Sequence, residues 1–319
     1  MILSKTPLRV SFVGGGTDYF TNFGTPGRVI ATSINKYLYI LLNKKHDDEI
    51  RISYSETENI KNIKNIKHEL IRETLKYFKI NKGIEVVTSA DIPSSGSGLG
   101  SSSALTVGLV NAINKYNKLN YNKSELAKIA CKIEVDKCKK PIGMQDQYST
   151  CYGGFNKIIF KNNKILVKRI DLNDSRMNNF QNKLMMFYTG VNRKADKILL
   201  KIKQKKNQFK HFHRLVKLVD NFEYELKSGN LRNLGEILHE NWMLKKDLST
   251  KVSSLKINEI YNNAIKSGAI GGKILGAGGG GYFLFYVDEK KQNKVKKALS
   301  KLKYIKFNFE NNGSKTHLL

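Results

Sequence analysis

The chain has 319 residues, 40% hydrophobic and 10% aromatic, with 56 Lys and Arg against 27 Asp and Glu for a net charge of +29; it can bury a sizeable core, and its length suits two domains. No long uncharged apolar run is available to span a bilayer and residues 1–13 lack a secretory pattern, so no membrane partner and a cytoplasmic location are expected. The basic surplus would attract nucleic acid and small phosphorylated ligands alike, but its lysines are scattered, without an aromatic RNA-binding signature or zinc-finger spacing, so nucleic acid is not an expected partner.

Residues 8–13 alternate and run into Gly14-Gly15-Gly16-Thr17-Asp18, a strand entering a turn with Asp18 at its tip. Residues 29–42 predict one or two further strands and 49–54 another, with the polar 55–67 as a connection. Leu70, Ile71, Leu75 and Phe78 give a short helix over 68–78, and 83–90 is a strand delivering the chain to the Gly/Ser run from Pro93 to Ser103. Ala104, Leu105, Val107, Leu109, Val110, Ala112 and Ile113 then read as a buried helix. Leu126, Ile129, Ala130 and Ile133 give another over 123–137, with Ser124 as its N-cap.

Residues 141–154 read as irregular, while 155–160 and 165–170 pair as a hairpin across Lys161-Asn162-Asn163-Lys164. The polar run 173–182 marks a domain boundary, dividing the chain into 1–172 and 173–319. Beyond it come a strand over 184–188, helices over 194–226, 231–244 and 257–267, and a glycine-rich stretch over 268–281. An apolar strand over 282–287, a helix over 290–303 and a strand over 304–309 close the chain. Cys131, Cys138 and Cys151 are odd in number and lack Cys-x-x-Cys spacing, which predicts free thiols in a reducing compartment.

The run from Pro93 to Ser103 has the composition of a phosphate cradle. Its glycines let the backbone turn N–H groups onto an anion, and the apolar helix behind it would add its N-terminus and the positive end of its dipole. It is not a P-loop, because it contains no lysine, and not a dinucleotide fingerprint, because Ser101 stands where a glycine is needed.

Three separated motifs now stand together: Pro7-Leu8-Arg9 through Asp18, Pro93 through Ser102, and Gly276-Ala277-Gly278-Gly279-Gly280-Gly281. With Gly143-Met144-Gln145-Asp146 between the second and third, the chain resembles the GHMP kinases, the superfamily of galactokinase, homoserine kinase, mevalonate kinase and phosphomevalonate kinase. Within it, Gly14 through Tyr19, Gly143 through Tyr148 and Gly153-Gly154-Phe155-Asn156 are most similar to bacterial D-glycero-D-manno-heptose 7-phosphate kinases, which make the 1,7-bisphosphate on the route to GDP-heptose and surface polysaccharide.

The resemblance implies an α+β, two-domain GHMP kinase fold, with a ribosomal-S5-domain-2-like N-terminal domain that binds ATP and a ferredoxin-like C-terminal domain. It implies ATP held by Pro93, Ser95, Gly96, Ser97, Gly98, Leu99, Gly100, Ser101 and Ser102, and Mg²⁺ held by Ser102 and Glu134, oxygen ligands suited to that ion. Asp146 matches the catalytic aspartate that takes the proton of the attacking hydroxyl, and Arg9 the basic residue beside it, which offsets charge on the phosphoryl group. Asp18, with Gly15, Gly16 and Thr17, falls on the sugar side, and Gly278 and Gly279 on the phosphate and substrate side. Galactokinases carry Glu-His where this chain has Gly15-Gly16, which leaves room for a longer sugar. A 7-phosphate would need a distal cation, for which Arg28, Lys36, Arg193 and Lys194 are candidates. The expected partner is thus a phosphosugar, and the expected state a monomer or homodimer. Other sugar 1-kinases of the galactokinase, fucokinase or N-acetylhexosamine kinase type are the alternative, and a basic nucleic-acid-binding protein is the rival of another class.

Overall fold

The computed structural model describes residues 1–19, 24–92, 96–161, 164–191, 198–200 and 208–319. Its first layer is an eight-stranded sheet built on two long strands, β1 (Ile2–Val13) and β2 (Gly27–Lys44). The path runs from β12 (Lys315–Leu318) through β1, β2 and β5 (Ile84–Ala90) to β3 (Ile50–Ser53) and β4 (Thr57–Ile60). The β6–β7 hairpin (Phe155–Lys161 and Lys164–Arg169) pairs with the first half of β2. All pairings are antiparallel except β3 with β5. Burial alternates only at the ends of the long strands, over Ile2–Thr6 of β1 and the second half of β2; from Thr6 to Val13 β1 is buried throughout, because helices cover one face there and the second layer the other.

α1 (Glu69–Tyr77) and α2 (Ser101–Tyr116) cover the helical face. From Ser103 to Ile113 every residue of α2 is buried, which explains its near-continuous apolar sequence. Gly108 lets it lie close to β1: a Cβ there would stand 2.8 Å from Thr6 Oγ1. α3 (Lys123–Cys131) is capped by Asn122 rather than by Ser124, which lies inside its first turn; Asn122 and Glu125 form a reciprocal capping box that satisfies two backbone donors. The helix then widens into a π-turn over Lys132–Lys137.

Residues 141–154, expected to be irregular, contain α4 (Gln145–Tyr152), and the polar run 173–182 is α5 (Asp174–Asn182), capped by Asn173. The second layer is an antiparallel sheet in the order β11 (Lys303–Ile305), β8 (Leu184–Tyr188), β10 (Tyr282–Val287), β9 (Ala269–Ile274). It carries α7 (Leu231–Leu248), α8 (Leu255–Lys266) and α9 (Glu289–Ala298), while α6 (Gln208–Ser228) packs between α7 and the β1 and β2 strands of the first sheet. Alternation along β10 splits the interior. Leu284 and Tyr286 join the core shared with the first sheet, while Phe283, Phe285 and Val287 pack with Trp242, Ile257 and Tyr261 in a second core.

An aromatic cluster joins the layers: Phe12 lies 5.2 Å from Phe155, 5.3 Å from Phe180 and 5.6 Å from Phe222, ring to ring. After β11 the chain returns to the first layer, where Phe309 bridges to Ile34 and β12 pairs with β1. Among the described residues no helix is long and apolar enough to cross a membrane, and all three cysteines are free and buried.

Candidate active site

Three glycine-rich loops meet where the layers join. The second, residues 96–100, holds Gly96, Gly98 and Gly100 at φ of 69°, 76° and 75°, a left-handed sequence that turns backbone N–H groups toward one side ahead of α2. It is closed by Ser97, whose Oγ lies 2.7 Å from Ser101 Oγ and accepts the Leu99 N–H at 3.2 Å. The third loop, residues 276–281, packs on it backbone to backbone. A Cβ on Gly98 would stand 2.4 Å from Leu275 O, and one on Gly281 2.4 Å from Ser97 O, so neither position accommodates a side chain. Val252, Thr189, Val191 and Lys245 hold the third loop from behind through its backbone groups.

Arg9 reaches the second loop from β1. Its backbone N–H donates to Leu99 O, and its Nη1 donates to Gly98 O at 2.6 Å. The rest of the guanidinium forks onto Asp146 in the first turn of α4, with Nε to Oδ1 at 2.9 Å and Nη2 to Oδ2 at 2.8 Å. Arg9 is 3% exposed and the Asp146 side chain 26%, so the pair presents a carboxylate, not a cation, to the cleft. A Cβ on Gly100 would come 3.6 Å from Asp146 Oδ2, which puts that carboxylate against the start of α2.

Asp18 stands beside it, in the 3₁₀ turn Thr17–Tyr19, and is buried. It accepts the Gly16 N–H (3.1 Å) and Gln145 Nε2 (3.2 Å) on Oδ1, and the Gln145 N–H (3.1 Å) on Oδ2. Burial is the main cause that raises its pKa to about 6, with the negative charge of Asp146 adding to it and the backbone hydrogen bonds opposing. Gly143 is required for this contact, since its Cβ would stand 1.9 Å from Asp18 Oδ2.

Glu134 is buried on the π-turn; π-turns recur at functional sites. Burial first, and the charge of Asp146 second, push its pKa up to about 8. Ser103 Oγ donates to its Oε2 at 3.1 Å, while Oε1 has no hydrogen-bond partner. A buried, unpartnered carboxylate oxygen beside the first turn of α2 fits a divalent cation, and Ser102, exposed in that turn, adds a second oxygen.

The other expected residues are placed as follows. Gly15 and Gly16 leave open space: a Cβ on Gly16 would meet nothing within 4 Å, and one on Gly15 nothing nearer than 3.5 Å. Thr17 is committed to the fold, its one hydroxyl proton lying between the Gly14 and Arg28 carbonyls, 2.8 and 2.9 Å away, while its oxygen accepts the Arg28 N–H at 2.9 Å. Arg28 turns outward to Asp220, in a network with Lys157 and Glu223. Lys36 lies at the irregularity where β1 and β2 change register between Pro7 and Leu8. Gly278 and Gly279 contact Val252, the latter through its N–H at 2.7 Å. Pro93, Ser95, Arg193 and Lys194 lie outside the described residues.

Sequence reasoning missed Gln145, Ser103 and Lys273. Lys273 sits on β9, 2% exposed, and donates to Phe12 O at 2.7 Å. Burial, with Arg9 nearby, lowers its pKa to about 7. A lysine inside an otherwise apolar strand was the available signal.

Models of the GHMP kinases match this chain twice, the N-terminal domain at residues 63–154 and the C-terminal domain at 222–305. A D-glycero-alpha-D-manno-heptose 7-phosphate kinase of Campylobacter jejuni is 31% identical over 99% of this chain and 98% of its own. A galactokinase of Pyrococcus furiosus is 26% identical over 97% and 95%. The solved structure of a D-glycero-D-manno-heptose 1-phosphate kinase from Bacteroides thetaiotaomicron shares the fold at a TM-score of 0.83 and 22% identity, covering 100% of this chain and 99% of that one. By its two-domain α+β fold, its matched domains and its full-length relative, the chain belongs to the GHMP kinases.

Proposed function

We propose that the protein transfers the γ-phosphoryl group of ATP to the anomeric C1 hydroxyl of D-glycero-D-manno-heptose 7-phosphate, giving the 1,7-bisphosphate and ADP. The observation that carries this reading is the Asp146 carboxylate, forked on Arg9 and set against the glycine loop at the head of α2. The C1 oxygen bonds to the γ-phosphorus as the bond to the β,γ-bridging oxygen breaks, and the hydroxyl proton passes to Asp146. Transfer is direct and in line, with no phosphoenzyme. Arg9 orients that carboxylate and keeps positive charge next to the transferring group.

Residues 96–102 would cradle the ATP phosphates. Ser102 and Glu134 would hold Mg²⁺, which supplies charge neutralisation at the β- and γ-phosphates. Asp18, ionised above its pKa of about 6, accepts sugar hydroxyls. The side-chain-free Gly15-Gly16 corner suits a seven-carbon sugar, and the heptose 7-phosphate kinase relative supports that choice over a hexose. For the distal phosphate, Lys36 and Arg193 stand as candidates alongside Arg28, which would have to exchange Asp220 for the ligand.

The test is ADP release with Mg-ATP and, in turn, heptose 7-phosphate, galactose, fucose, N-acetylgalactosamine and mevalonate. Turnover on the phosphorylated heptose alone, lost in Asp146→Ala, is expected. Turnover on an unphosphorylated sugar instead would remove the distal-phosphate part of the reading. Salt-sensitive RNA binding that ATP does not displace, with no turnover on any substrate, would move the assignment to nucleic acid.

A further inference from the structure

The end of β1 is gripped from the second layer by two buried polar side chains. Asn241 Oδ1, on α7, accepts the Gly14 N–H at 3.3 Å, and Lys273 Nζ, on β9, donates to the Phe12 carbonyl at 2.7 Å. Each residue is 2% exposed. Phe12 needs such a partner because the β1–β2 register shifts between Ser11 and Val13, and a bulge of this kind leaves its extra residue outside the ladder. One turn beyond Asn241, and therefore on the same helix face, Lys245 donates to the Gly276 carbonyl at the start of the third loop.

β1 carries Arg9 just before this grip, and Asp18 follows it in the 3₁₀ turn Thr17–Tyr19. The third loop, held by Lys245, lies in backbone contact with the second. α7 thus touches the sugar-side loop and the phosphate-side loop through side chains four residues apart. A buried lysine adds little net stability through one carbonyl, because its desolvation offsets the bond; what the bond fixes is position. We infer that Asn241 and Lys273 are positioning residues for the sugar-side loop and Lys245 for the phosphate-side loop, with α7 setting the spacing between the two substrates. This rests on the kinase reading above.

The test uses the full-length chain with Asn241→Leu, Asn241→Asp, Lys273→Met and Lys245→Met. Sugar and ATP are varied separately in steady-state kinetics, and backbone hydrogen exchange is followed in peptides covering residues 12–18 and 96–104. Loss of one buried hydrogen bond in Asn241→Leu or Lys273→Met raises the sugar KM about tenfold and leaves the ATP KM within about twofold. Asn241→Asp keeps the acceptor and restores the sugar KM, whereas Lys245→Met moves the ATP KM instead. Exchange over residues 12–18 rises about tenfold in Asn241→Leu while residues 96–104 keep wild-type rates. Equal rises in both KM values, failure of Asn241→Asp to rescue, or exchange rising equally in both peptides would overturn the inference. Should Lys273→Met not fold, the Asn241 pair decides alone. A wild type inactive on every sugar refutes the kinase reading, and the exchange comparison still decides the brace.

Discussion

Replacing Arg9 by methionine removes three hydrogen bonds at once: two to the Asp146 carboxylate, at 2.9 and 2.8 Å, and one to Gly98 O at 2.6 Å. In the resting protein the loss is moderate. The Asp146 side chain is 26% exposed and water can replace part of the ion pair, while the Gly98 carbonyl is left unpaired, so unfolding free energy falls by about 1–3 kcal/mol. In the transition state the loss is larger, because the site is then closed to water and the charge must be met by groups already in place. Removing one such group costs about 2.7–4 kcal/mol, a factor of about 10²–10³ in kcat. Arg9→Lys keeps the charge but cannot fork, so it falls between wild type and Arg9→Met. Stopped-time ADP release at saturating substrates gives kcat, and thermal unfolding gives the stability change. The reasoning is refuted if Arg9→Met retains wild-type kcat, or if its deficit disappears on cooling to where it is fully folded.

Gly98→Ala places a Cβ 2.4 Å from Leu275 O on a backbone with φ of 76°, so the second and third loops must separate; the ATP KM rises about tenfold or more, and an unchanged ATP KM would show that the two loops do not act together. For Asp18, moving the pKa from the ordinary 3.8 to about 6 costs its ionised state about 3 kcal/mol. The folded form holds more protons than the unfolded one between those values, so this contribution to stability is present below pH 3.8 and lost as pH rises past 6. The stability of Asp18→Asn relative to wild type therefore increases across that window, as denaturant titrations at pH 4 and pH 7 would show, and a flat difference would contradict it. In the same range the wild-type sugar KM falls as pH rises through about 6, because the ionised carboxylate is the hydroxyl acceptor.

The glycine loops were legible because their chemistry is local. Gly14, Gly98 and Gly281 occupy left-handed backbone with another chain segment where a Cβ would go, and no other residue type satisfies both demands. α2 was legible from its apolar run. α4 was not: its buried residues are Gln147, Tyr148, Ser149, Thr150 and Cys151, so burial on most sides erased any polar-apolar period. α5 hid for the opposite reason, since only Phe180 of its nine residues is buried. The return of β12 to β1 is a pairing distant in sequence, and four mostly polar, largely exposed residues do not name a partner.

Within the site, Arg9, Asp18 and Asp146 could be placed from their motifs, but the hydrogen bonds of Gln145 to Asp18 and of Ser103 to Glu134 depend on how α4 and the π-turn are docked. Asn241 falls in the helix expected over 231–244, Lys245 one residue beyond it, and Lys273 in the stretch over 268–281 read only as glycine-rich. Their burial is a product of packing between layers that no local period records.

The central claim is that phosphate arrives on the anomeric oxygen of a heptose already phosphorylated at its far end. The measurement that tests it most directly is a phosphorus–proton correlation spectrum of the product formed from heptose 7-phosphate and ATP. The account predicts a new phosphorus resonance coupled to the anomeric H1, beside the unchanged 7-phosphate signal, and no such product with Asp146→Ala. A new phosphate coupled to any other sugar proton, or formation of the same product by Asp146→Ala at the wild-type rate, would contradict it.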